Sequence, residues 1–208
     1  MAKVVLSPTL TGLVDLANPD PATITIEALA RGLCRPRWAN ATELPITIAQ
    51  HSVLVMELFI RRNPALRLAA IYPLLHDAHE YLLGDLITPT VRLLAEDLPG
   101  LPARIDRHKG RIDAVIRLAL GVPAPDTGIL ALVHEADQAA AHVEWISLIP
   151  SVNGHSPFTT PRKSLFRMPT IKPLAWPQAE ALFRETLERE LAMKPWHAVP
   201  MEAEGLPA

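Results

Sequence analysis

The chain has 208 residues, 49% of them hydrophobic and 20% charged, and a formal charge of -2. That length fits one domain with a well-developed core and leaves little room for a second, so the expectation is a single domain over 1–208, with its core at about 24–190 and a loose tail at about 194–208. The charge balance offers no broad basic surface for long nucleic acid, a lone Cys34 excludes an internal disulfide, and no stretch reaches the ~18 apolar residues that cross a membrane.

The opening MAKVVLSPTL lacks a basic region leading into a long apolar run, which makes cytoplasmic the expected compartment. Two Asn/Asp-Pro steps in VDLANPDPAT predict a lead-in loop over residues 1 to 23. Thr23 or Thr25 can cap a short helix through IEALARGL, which Gly32 weakens before the break at Pro36. Cys34 follows as a partly buried, inert thiol, since no thiolate-activating pattern surrounds it. After the CRPRWANATELP loop, Ile48, Leu54, Val55, Leu58 and Phe59 fall at helical spacing, with His51 inside the pattern. Pro64 starts the next helix, whose apolar side is Leu68, Ile71, Leu75, Ala78 and Leu82, with Pro73 as a kink one turn before His76-Asp77.

Gly84 stops this helix, Asp85 follows at once, and a short amphipathic piece leads to Pro99-Gly100. Residues 104–120 form another helix with Ile105, Ile112, Ile116 and Ala119 inward and basic residues outward, and a long helix carrying Asp137 follows the GVPAPDTG loop. Pro150, Pro157, Pro161, Pro169, Pro173 and Pro177 make 150–177 mostly loop, able to reach over a site, before a final amphipathic helix from Pro177. No alternating run competes with these patterns, so the fold class is all-α.

Polar residues inside apolar helical pattern are the chemical signal. Asp137 has Val133, Ala136, Ala140 and Ala141 around it at helical spacing, which sets it on or beside a buried side. An uncompensated carboxylate there costs several kcal/mol or takes up a proton, and a bound cation removes the problem. His51, His76, Asp77 and Asp137 come from three separate segments, the way a helical bundle builds a metal site in its core. Adjacent helix residues point about 100° apart, so His76 and Asp77 share one ion only at the edge of a face. Mixed nitrogen and oxygen ligands suit one divalent ion, Mn, Co, Fe or Zn, with Mg also compatible, and four protein ligands leave positions for water and substrate. Glu80, one turn after His76, and Asp85, just past the helix end, can divide proton removal from proton delivery. Taken singly each residue has an ordinary reading, such as a satisfied helix histidine, a carboxylate paired with a base, or a solvated face. The joint spacing is what argues for chemistry.

The segments AQHS, LLHDAHEYLLGDLITPT and HEADQAAA, with NPDPATITIEALARGLCR upstream and AWPQAEALFRE downstream, resemble the HD-domain phosphohydrolases, in particular the bacterial and phage 5'-deoxynucleotidase-like group. The resemblance covers about residues 12 to 190 and implies an HD-type helical bundle. It implies that His51, His76, Asp77 and Asp137 ligate the metal and that Glu80 and Asp85 serve catalysis. It also points to the arginine-aromatic step Arg37-Trp38 for substrate binding, the guanidinium suited to phosphate and the indole to sugar or base, with Arg35 competing for the phosphate. The activity implied is hydrolysis of a deoxynucleoside 5'-monophosphate to deoxynucleoside and phosphate. The same residues fit a deoxynucleoside triphosphate triphosphohydrolase, and a metal- and nucleotide-binding sensor module is the non-enzymatic alternative. Glu80-Tyr81 stands where the alarmone hydrolase branch has Glu-Asp, which disfavours that activity. The implied partners are a small nucleotide and a second copy in a homodimer, which the apolar helices permit, with neither long nucleic acid nor membrane. His79 is expected at the surface or pocket edge, and His108, His134, His142, His155 and His197 as structural or exposed.

Overall fold

In the computed structural model, residues 5–149 and 171–193 are described, and they form an α-helical bundle. Helix α2 (Ile48–Arg62) is its axis. Thr47 caps it by accepting from the Gln50 amide, and His51, Val53, Val55, Met56, Leu58 and Phe59 are all buried, on nearly every side of the helix. Around it pack α3 (Ile71–Leu74), α7 (Thr127–Leu148) and α8 (Trp176–Ala192), α1 (Ile26–Gly32) packs on α8, and one hydrophobic cluster runs from Val14 through these helices to Leu187. Among the described residues no helix is long and apolar enough to cross a membrane.

Local signals set the helix ends. Thr25, not Thr23, caps α1, and Asp126 caps α7 by accepting from the Ile129 amide. Gly121, in the left-handed region at φ 67°, closes α6 (Leu101–Leu120), which begins a turn before Arg104. Gly32 does more than weaken α1. A Cβ there would lie 2.9 Å from the Tyr81 Cβ, so its bareness lets α1 press against α4 (Glu80–Leu83).

Two expectations fail. Residues 6–15 are not loop: β1 (Leu6–Thr9) and β2 (Gly12–Asp15) form an antiparallel hairpin, turned at a Gly12 with φ 120°. Strands of four residues are too short to show a period, and Pro8 stands in the ladder as only an edge position allows. Nor is the stretch after Pro64 one kinked helix. It is a 3-10 helix at Pro64–Ala69, then α3, a turn over residues 75–79, and α4. Pro73 has no amide to donate, and the chain goes on through i to i-3 bonds such as Ala78 to Leu75 and Glu80 to Asp77. Leu68 is consequently exposed, not on the buried side.

The helix α5 (Thr88–Asp97) buries none of its residues and leads into α6. Residues 171–175 run along α2, where Gln50 bonds the Lys172 carbonyl at 2.8 Å and the Leu174 amide at 3.0 Å. The expected loop prolines 150, 157, 161 and 169, with His155, His197 and the tail, lie outside the described residues.

Candidate metal centre

Three elements bring the histidines and aspartates together. His51 stands on α2, His76 and Asp77 on the 75–79 turn, and Asp137 on α7. The interrupted helix thus answers the angular problem of adjacent helical residues, because a turn lets both neighbours face one point. His51 Nε2 lies 3.3 Å from His76 Nε2, 3.6 Å from Asp77 Oδ2 and 3.2 Å from Asp137 Oδ1. His76 Nε2 is 3.1 Å from Asp77 Oδ2 and 3.7 Å from Asp137 Oδ1. Ligands about 2.0–2.2 Å from one ion are separated by such distances, so His51, His76 and Asp77 could hold a cation, and Asp137 extends the set.

The ring nitrogens are oriented for this. His76 Nδ1 donates to the Pro73 carbonyl at 2.8 Å, which turns Nε2 toward the other three residues. His51 Nδ1 donates to Glu144 Oε1 at 2.5 Å. Glu144, fully buried on α7, is the site residue that sequence reasoning missed. Its other oxygen accepts from the Trp38 indole at 2.8 Å and lies 3.5 Å from Arg37 Nε. The pattern carried a signal: Glu144 follows Asp137 by seven residues, two turns along the same face of α7.

Burial opposes every charge in the cluster, and its partners prevail. Desolvation pulls His76 down, yet Asp77 and Asp137 raise it well above its usual value. At His51 burial and the Arg37 charge pull downward, and Glu144 and Asp137 raise it all the same. Burial would push Asp77 and Asp137 up, but the histidines hold both carboxyls below the usual range. Such a set of imidazoles and carboxylates, crowded and desolvated, is chemically suited to a divalent cation.

Arg37 and Trp38 reach the cluster through their loop. Pro36 bridges to Thr47, the Arg37 amide donates to the Ile46 carbonyl at 2.7 Å, and the Ile48 amide donates to the Arg35 carbonyl at 3.0 Å. Arg37 Nη1 then lies 3.6 Å from Asp77 Oδ2. Trp38 has φ 61°, a left-handed conformation costly for a non-glycine residue and often found at functional sites. Arg35 goes elsewhere. Its Nη1 and Nη2 donate to the Glu80 and Tyr81 carbonyls at 3.2 and 3.3 Å, so it caps the end of α4 and does not compete for the centre.

Glu80 is buried, and its Oε2 has no hydrogen-bond partner among the described residues. Desolvation, with Asp77 and Asp85 nearby, pushes its carboxyl up to about 7. Asp85 is exposed just past α4. His79 is not at the surface: it is 4% exposed, with Nδ1 3.1 Å from both Asp113 oxygens and its own amide donating to Asp113 Oδ1. Its Nε2 is buried without a partner among the described residues. His108 and His134 are exposed and His142 is partly buried.

No family model matches the chain. It is similar to an uncharacterised protein of Rhodobacter capsulatus, 38% identical over 139 residues, or 63% of this chain. The chain spans 66% of that relative's length.

Proposed function

We propose that this protein is a metal-dependent phosphohydrolase of the HD type that removes the 5'-phosphate from deoxynucleoside monophosphates. The observation that carries the reading is the convergence of His51, His76, Asp77 and Asp137, drawn from three elements, beside a partly buried Arg37 and a buried Glu80 whose carboxyl is pushed up to about 7. A purely structural ion site needs neither of the last two.

The four residues would hold one divalent ion, which when bound supplies Lewis acidity toward a phosphate oxygen and lowers the pKa of water. Arg37, desolvated and held by Asp77 and Glu144, offers a fixed positive charge to the phosphate oxygens. Glu80, titrating near 7, accepts a proton from the attacking water at neutral pH. Asp85 is close enough for its charge to be felt at both Glu80 and Arg37, and the proton taken up between the Glu80 and Asp85 carboxylates is the one delivered to the leaving 5'-oxygen. Trp38 presents its indole beside Arg37, for sugar or base.

The test is turnover of mono-, di- and triphosphate nucleotides, ribo and deoxy, by ion-loaded protein with each product identified. Inorganic phosphate and deoxynucleoside from monophosphates are expected. Release of triphosphate would make it a triphosphohydrolase instead, and tight nucleotide binding without turnover would leave a sensor module.

A further inference from the structure

The three histidines of the centre share one construction. His51, His76 and His79 each spend Nδ1 on a fixed oxygen acceptor, Glu144, the Pro73 carbonyl and Asp113 respectively. In each case Nε2 is left over. For His51 and His76 that nitrogen faces the first cation site, whereas for His79 it is buried and has no partner among the described residues. An imidazole held at one nitrogen by a carboxylate from another helix, with the other nitrogen free, is the usual arrangement of a metal-ligating histidine.

Resting on the reading of the first site as a cation site, we propose that a second divalent cation binds beside it, held by Asp77, His79 and Glu80, with Asp77 shared between the two ions. One donor atom from each of these residues lies within 4.8 Å of the others. Ligands at about 2.0–2.2 Å from an ion are at most about 4.4 Å apart, so a few tenths of an ångström of closure completes the set.

An independent observation points to the ligand. Glu80 and His79 are each 4% exposed, and each leaves a polar atom, Oε2 and Nε2, with no partner among the described residues. With His79 Nδ1 spent on Asp113, Nε2 has a lone pair to offer, and Glu80 Oε2 is an acceptor left over on the neighbouring residue. A cation satisfies both. The charges agree: Asp77 and Asp85 add negative charge beside Glu80, and the Arg37 charge felt there offsets it only in part. Two oxygens and one nitrogen suit Mn or Zn and leave open positions for water or phosphate oxygen. Two-metal sites hold their ions about 3.5–4 Å apart and clamp the attacking and leaving oxygens of a displacement at phosphorus.

The experiment is Mn2+ titration of the metal-free full chain, with bound metal counted after dialysis, an electron paramagnetic resonance spectrum at saturation, and nucleotide turnover measured in parallel. Wild type should bind two equivalents with an exchange-coupled spectrum. His79→Asn and Glu80→Gln should each bind one and give the signal of an isolated ion. Asp113→Asn leaves the imidazole in place and should weaken the second equivalent about 10–100-fold while sparing the first, which keeps the test decisive should His79→Asn fail to fold. One equivalent in wild type, or two in both His79→Asn and Glu80→Gln, overturns the second site. A single equivalent with intact turnover overturns it while leaving the hydrolase reading intact. Two equivalents with no turnover of any nucleotide sinks that reading and supports the second site.

Discussion

The chain uses an arginine, a tryptophan and a glutamate together in two places, to opposite effect. On the surface, Arg31 reaches Glu180 at 2.6 Å and lies 4.7 Å over the Trp176 ring, in a shallow cleft between α1 and α8. Inside, Arg37 is 3.5 Å from Glu144 and 5.9 Å from the Trp38 ring. The surface trio has the shorter contacts, yet burial decides which matters. The Arg31 side chain is 50% exposed and screened by water, whereas Glu144 is fully buried and divides its two oxygens between a candidate ligand and a tryptophan. At equal distance an ion pair gains several-fold in Coulomb energy on leaving water, and it also loses its solvation, so the interior pair is both stronger and harder to disturb safely.

The interior should break first at Asp137. Asp137→Ala removes one oxygen from the four-residue set, and the metal-loaded protein should lose its first ion and its nucleotide turnover to background. Elemental analysis checks this, and unchanged stoichiometry would remove Asp137 from the ligand set. The pH dependence of that ion has a definite sign. His51 and His76 hold protons above their usual range in the ion-free protein, so the cation must displace them. Metal affinity should therefore climb with pH until both rings are neutral, then level off.

Glu144→Gln comes next. The amide keeps the shape but loses the charge that faces His51 and Arg37, and its nitrogen must oppose either the imidazole N–H or the indole N–H. Metal affinity should fall about 10–100-fold, the usual cost of losing a carboxylate behind a histidine ligand. A calorimetric titration with Mn2+ decides it, and an unchanged affinity would show that the buried trio is packing alone.

Glu80→Gln separates catalysis from stability. Turnover should fall by about 10²-fold or more, the size of effect expected of an acid-base group and compatible with loss of the second ion, which the parallel metal count separates. In the metal-free protein the same change should be stabilising at high pH. With the folded carboxyl at about 7 and the unfolded one near its ordinary value, ionisation penalises the fold above pH 7, and no penalty exists below about pH 4. The variant should gain up to about 3 kcal/mol at pH 8 and nothing at pH 4 in chemical unfolding. Equal gains at both pH values would refute the electrostatic cause.

How much of this was legible follows from how local each cause is. Thr25, Thr47 and Asp126 announce their helices because a cap acts within a turn of itself. The quartet His51, His76, Asp77 and Asp137 was legible because polar residues stand out against apolar pattern. Asp113 was not: it sits among RIDRHKGRID, where an acidic residue looks like a solvated partner for its basic neighbours, and only the packing of α6 on the 75–79 turn makes it the anchor of His79. Arg35 and Arg37 could not be told apart for a similar reason. Two residues apart in a loop, they diverge only because the Pro36–Thr47 bridge sends one to the end of α4 and the other to Asp77.

The surface trio should show the smallest effect. Arg31→Ala removes a 2.6 Å ion pair and a ring contact, which by distance alone would rank among the strongest in the molecule. Exposed pairs of this kind contribute about 0.2–1 kcal/mol, because water already solvates both charges and two long side chains lose freedom in meeting. The thiol beneath should be equally quiet. Burial and the Glu180 charge push Cys34 up to about 11, and its Sγ bonds the Ala30 carbonyl at 3.3 Å, so Arg31→Ala should not make it alkylate rapidly at neutral pH. Metal affinity should be unchanged, since none of the residues lining the cleft is one of the candidate ligands. A loss of stability beyond about 2 kcal/mol in urea would mean that the α1–α8 seam depends on this contact, and that burial is not what separates the two trios.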